Sequence, residues 1–171
     1  RKGEAADAMS AAIAVRPDSV HQGATFEEEK AAAVAVISAI TPRALRRLEE
    51  STILWVDDNP DNNHYERQAL EALGVRCLLS TSTEDALTKT RHRTFDVIIS
   101  DMGRPPDPRA GYTLLDALRK RGDQTPFIIY ASSRSPEHIM EARRHGALGC
   151  TNRPQELVEM VLGAIGKGLE K

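Results

Sequence analysis

Two short apolar runs in this chain each end on carboxylates. Ile53-Leu54-Trp55-Val56 leads into Asp57-Asp58, and Ile98-Ile99-Ser100 leads into Asp101, with a turn at Met102-Gly103-Arg104-Pro105 just beyond. Apolar runs of this length, bounded by turn residues, read as buried strands. In an open α/β protein such strands deliver their last side chains to the carboxyl edge of a parallel sheet, where ligands bind. No other feature constrains the chain as much. Three aspartates at adjacent strand ends repel one another unless a cation sits among them. Hard oxygen donors of this kind suit Mg²⁺, which binds through a few carboxylates and keeps several waters. The expected site is therefore Asp57, Asp58 and Asp101 around a divalent ion, centred on Asp101.

From Thr52 onward strands alternate with helices, the pattern of a parallel sheet with covered faces. The spacing predicts strands at 52–56, 75–80, 95–100, 127–130 and 148–151. Helices are expected at about 63–73 (stopped by Gly74), from Ser82 to near Arg91, at 112–121, from Pro136 to about His145, and from Pro154 to about Gly168. Ser82-Thr83-Glu84-Asp85 approximates a capping box. A proline-stiffened loop, Gly103 to Gly111, follows Asp101. The fold class expected is α/β, five βα units in succession, with no internal repeat.

Residues 1–50 have a different texture and read as a helical N-terminal extension or linker, with residues 51–171 as the α/β domain. Glu4 to Val15 is Ala-rich and helix-prone. Arg16-Pro17-Asp18-Ser19 breaks it, and Val20 to Thr25 reads as a loop. Thr25 can cap a second helix whose first turn holds Glu27, Glu28 and Glu29, which suits the positive end of the helix dipole. Thr41-Pro42 starts a third, with Leu45 and Leu48 on one face. These helices suit either a hairpin packed on a neighbour or a dimerising, signal-transmitting segment.

Bulk properties exclude several classes. The 171 residues carry a net charge of -2 without clustered Lys and Arg, so nucleic-acid binding is not expected. No apolar run approaches the ~20 residues of a membrane helix. Cys77 and Cys150 lie in strand-like stretches and read as buried thiols, with no zinc-ligand spacing. A reduced, cytoplasmic compartment is expected. The five histidines read as surface residues, and Trp55 as core or sheet-face packing. The chain begins with Arg1 and reads as a piece of a longer protein, whose remainder could carry an effector, a sensor or a membrane anchor.

These residues resemble the receiver domain of bacterial two-component response regulators over roughly 51–170. The carriers are Leu54-Trp55-Val56-Asp57-Asp58-Asn59-Pro60, the Asp101 strand end, Pro105 four residues later, and Gly146-Ala147…Arg153-Pro154 before the last helix. The resemblance implies a flavodoxin-like five-stranded parallel sheet, order 2-1-3-4-5, with helices on both faces. It implies that Asp101 accepts phosphate from a histidine kinase or phosphotransfer protein. Mg²⁺ would be held by Asp58 directly, by Asp57 mostly through water, by Asp101, and by the backbone carbonyl of Gly103. Such a module signals by changing its interactions with partner domains and is not a turnover enzyme. Its homodimers would form through the N-terminal helices or the helix 4–strand 5–helix 5 face.

The sequence departs from the family pattern on one side of the site. Receivers carry Thr or Ser at the end of the fourth strand, where this chain has Ala131, with Ser132 one residue on as a candidate switch hydroxyl. Arg153 stands at the usual Lys and is a candidate phosphate contact, although its planar fork is not equivalent to an ammonium. Cys150 replaces the usual aromatic, and the acceptor loop is longer than typical. The alternative expectation is a pseudo-receiver, a phosphorylation-independent dimerisation or docking module. A phosphatase using a strand-end Asp nucleophile is disfavoured because Gly103 stands where its second Asp would act as general acid. A nucleotide-binding protein is disfavoured because no glycine-rich loop follows the first strand.

Overall fold

The structure, a computed structural model, describes residues 1–16 and 25–166. In chain order the elements are α1 (Lys2–Val15), α2 (Phe26–Ser38), α3 (Pro42–Glu49), β1 (Thr52–Val56), a 3-10 turn (Pro60–Asn63), α4 (His64–Ala72), β2 (Arg76–Ser80), α5 (Thr83–His92), β3 (Val97–Ser100), α6 (Ala110–Lys120), β4 (Phe127–Tyr130), α7 (Pro136–His145), β5 (Gly149–Thr151) and α8 (Pro154–Gly166). The strands form one sheet in the order β2-β1-β3-β4-β5, and β1–β3, β3–β4 and β4–β5 are parallel pairs. This is the flavodoxin-like order that the receiver resemblance implies. The break at Arg16-Pro17 and the loop through residue 24 fall largely outside the described residues.

The chain divides into two compact units. Among the described residues, one gathers those of 1–51, 61–77 and 153–166; the other holds Thr52–Pro60 and Leu78–Asn152.

In the first unit, α1 packs on α4 and α2, while α2 and α3 pack on α8. The buried face of α1 is Ala5, Ala8, Met9, Ala12 and Ile13, the i, i+3, i+4 spacing of an amphipathic helix. Its alanines allow a close approach. The Thr25 hydroxyl accepts from the Glu28 N–H while the Glu28 side chain reaches back to the Thr25 N–H, a full capping box. Thr41 caps α3, with Pro42 in the first turn. On α8, Leu157, Val158, Val161 and Ile165 are buried.

The core of the second unit lies on the side of the sheet formed by Leu54, Val56, Ile98, Phe127 and Ile129. Leu114, Leu115 and Leu118 of α6 pack into this cluster, with Ala86 and Ala142 from the flanking helices. Alternate strand residues face the other way, and Trp55 there meets Tyr130 edge-on at 6.1 Å. Helix α6 starts two residues before the position expected from sequence. The cause is Asp107, whose carboxylate accepts from the Arg109 N–H (2.9 Å) and the Thr113 hydroxyl (2.7 Å), organising the first turn. Gly111 thereby falls inside the helix, against the end of β3.

Two expectations need correction. Cys150 is buried, but Cys77 is partly exposed, because β2 is an edge strand of the sheet. His145 is not a plain surface residue. It is partly buried, stacks on the Tyr112 ring at 4.0 Å and bonds Asp116 at 2.8 Å.

Candidate functional site

The register of the central strands builds the site. Val56 of β1 pairs with Ser100 of β3, so the next residues of each strand emerge side by side. The Asp101 N–H donates to the Val56 carbonyl at 3.0 Å, and the Asp57 N–H donates to the Ser80 carbonyl at 3.0 Å. Carboxylate oxygens of Asp57, Asp58 and Asp101 all lie within 4.8 Å of one another, a grouping able to hold a metal ion. Asp57 is buried, Asp101 half-buried and Asp58 exposed. The Asn59 N–H orients Asp57 through its Oδ1 at 2.8 Å. The backbone N–H of Asp58 donates to the Asp101 carboxylate.

Burial pushes the Asp101 carboxyl up to about 7; Arg104 pulls against the rise and the neighbouring Asp57 adds to it. A carboxylate so placed gains from any cation that reaches it.

One cation is already there, and sequence reasoning missed it. Arg104 is buried and forms an ion pair with Asp101. Its Nη1 also donates to Ser100 Oγ at 3.1 Å, and its Nη2 to Thr83 Oγ1 at 2.6 Å and the Ala110 carbonyl at 3.2 Å. Its backbone exchanges hydrogen bonds with Asp107 (2.9 and 2.8 Å), closing a turn over Pro105 and Pro106. An arginine in a proline-rich loop has no periodicity that marks it as buried. Its position three residues past a strand-end aspartate was the one available signal.

The other candidates follow β3, β4 and β5 in the chain. Gly103 sits in the loop after β3, backing onto Pro108. Ala131 packs against the core, and Ser132 is exposed, with its carbonyl accepting from Asn152 Nδ2 at 3.1 Å. Both line a cavity of about 180 Å³ together with Met102, Tyr112 and Cys150. The Cys150 thiol donates to the Ser133 carbonyl at 3.2 Å. Arg153 opens α8, its Nη1 4.0 Å from the Glu156 carboxylate.

The family model described as the response regulator receiver domain matches residues 53–162. The chain belongs to that family. The receiver-domain fold is shared with the receiver domain of the Francisella response regulator 1452 (24% identity, TM-score 0.62, covering 69% of this chain and 98% of that one). It is also shared with the Vibrio cholerae chemotaxis response regulator CheY4 (26% identity, TM-score 0.59, covering 67% and 98%). Among curated proteins, the sensor histidine kinase AruS of Pseudomonas aeruginosa is 31% identical over 153 residues, which is 86% of this chain and 15% of that kinase. That match is longer than the 121 residues from 51 to 171, so it takes in part of the N-terminal helical segment. This chain therefore spans a small fraction of the relative it matches. Receiver domains are signalling modules of two-component systems. Among the described residues, no helix of this one is long and apolar enough to cross a membrane.

Proposed function

We propose that this receiver accepts a phosphoryl group on Asp101 and signals through the resulting change in its contacts with partner domains. The single observation that carries the reading is the convergence of Asp57, Asp58 and Asp101 at the ends of β1 and β3. A set of three carboxylates, one of them buried and oriented, fits a hard divalent cation such as Mg²⁺. Asp57, Asp58, Asp101 and the Gly103 carbonyl would hold it. When bound, the ion supplies positive charge that offsets the carboxylates and the incoming phosphoryl group. In the transfer an Asp101 oxygen bonds to phosphorus as the P–N bond of a phosphohistidine breaks; the released imidazole takes up a proton. The donor is a histidine kinase or phosphotransfer protein, a class supported by the kinase relatives. Arg153 and Ser132 are the proposed contacts to the added group. Residues 51–171 form the receiver and residues 1–50 its extension, acting in the cytoplasm. Homodimers would use the N-terminal helices or the α7–β5–α8 face.

A second reading, a phosphorylation-independent docking module, is favoured by one observation. Ala131 offers only a methyl group, and the Cys150 thiol is committed to the Ser133 carbonyl. Trp55 fluorescence separates the two, since Trp55 is buried two residues before Asp57. The phosphoacceptor reading expects a change with Mg²⁺ and a further change with acetyl phosphate. A response to Mg²⁺ alone, with none to the donor, selects the docking module.

A further inference from the structure

Arg104 enters neither the metal set nor the transfer step above, yet it is the charged group in ion-pair contact with the acceptor. Three of its four side-chain partners are neutral oxygens: the Ser100 and Thr83 hydroxyls and the Ala110 carbonyl. The Ser100 hydroxyl donates its own hydrogen to the Asp101 carbonyl at 2.8 Å, which leaves its lone pairs turned to Arg104. The guanidinium is thus fixed by β3, α5 and α6 independently of the charge on Asp101. An arginine cannot lose its proton in a protein, and four side-chain hydrogen bonds hold this one in place.

We infer that Arg104 is the resident counter-ion of the acceptor site, occupying Asp101 Oδ1 without metal and competing with the divalent ion for that carboxylate. This inference rests on the metal site proposed above. The cationic group lowers the net charge of the three-aspartate cluster from -3 to -2 before any ion arrives. It also occupies one of the two Asp101 carboxylate oxygens, Oδ1. Even at the dielectric of bulk water, a unit charge roughly 5 Å from a divalent ion opposes it enough to weaken binding about tenfold. In this half-buried setting the effective dielectric is below that of water, so the tenfold effect is a lower bound. Mg²⁺ affinity in this receiver is therefore set by Arg104 as well as by the carboxylates.

The test is isothermal titration of Mg²⁺ alone into wild-type protein and Arg104→Gln, which keeps a planar N–H₂ donor and drops the charge. The dissociation constant is expected to fall about tenfold or more in Arg104→Gln, and to stay within about threefold of wild type in Arg104→Lys, where the charge returns. A purely structural role would weaken Mg²⁺ binding in both variants. Arg104→Met, which keeps the apolar stem, supplies the reading if Arg104→Gln does not fold. Wild-type binding with unchanged or weaker affinity in the uncharged variants overturns the inference and leaves the metal site standing. No Mg²⁺ binding in any of the proteins overturns both.

Discussion

The backbone around Asp101 has no room for one extra methyl group, and Gly111→Ala puts it there. A Cβ at Gly111 would lie 2.6 Å from the Asp101 carbonyl oxygen, 3.1 Å from Ile129 Cδ1 and 3.3 Å from Met102 Cα. A close carbon–oxygen contact settles at about 3.3 Å, so helix and strand must separate by roughly 0.7 Å. Two of the three obstacles are backbone and cannot rotate away. The same movement stretches the 2.7 Å hydrogen bond from the Gly111 N–H to the Met102 carbonyl. Overpacking costs about 1–3 kcal/mol and a weakened hydrogen bond up to about 1 kcal/mol. The helix propensity of alanine returns about 0.5–1 kcal/mol. The net expectation is a loss of about 1–3 kcal/mol. Gly163 in α8 is the internal control: it is exposed, and a Cβ there meets nothing within 4 Å. Gly163→Ala should stabilise by about 0.5–1 kcal/mol. Urea unfolding followed by circular dichroism reads both. A Gly111→Ala protein as stable as wild type would refute the close approach of α6 to the end of β3.

Two further outcomes follow from burial. Because the Asp101 carboxyl is raised from 3.8 to about 7 in the fold, its protonated form is favoured there. Its ionisation removes stability progressively as pH rises from about 4 through 7. In metal-free buffer Asp101→Asn should therefore gain on wild type between pH 4 and pH 8, by up to about 4 kcal/mol; a constant difference across that range would contradict the buried setting. Burial also pushes the Cys150 thiol up to about 11. For Cys77, burial first and Glu71 second raise the thiol to about 12 against Arg67. Neither should react with iodoacetamide at pH 8 in the native protein, whereas both should in urea; rapid native labelling of either, read by mass, would show a thiolate that this fold does not predict.

The acidic site was legible because its signal is linear. An apolar run followed by Asp57-Asp58, and another followed by Asp101, name the strand ends without any tertiary knowledge, and parallel pairing brings them together. Caps were legible for the same reason: Thr25, Thr41 and Ser82 sit where an apolar-periodic stretch begins, and each accepts the expected backbone N–H. Arg104 was hidden because its partners, Thr83, Ser100 and Ala110, come from three elements, and its burial depends on how they assemble. The early start of α6 was hidden because Asp107 works through a side-chain bond across Pro108. The exposure of Cys77 depends on strand order, which a strand's own residues do not carry. His145 is half-buried only because α6 and α7 pack side by side and set it on Tyr112.

Intact-protein mass tests most simply whether Asp101 is a metal-dependent phosphoacceptor. Wild type and Asp101→Asn would each be incubated with acetyl phosphate, with and without Mg²⁺. Wild type should gain one phosphoryl group, lost on acid treatment and absent when Mg²⁺ is chelated, with none on Asp101→Asn. Equal labelling of the two proteins, or labelling of wild type that ignores Mg²⁺, would contradict that role.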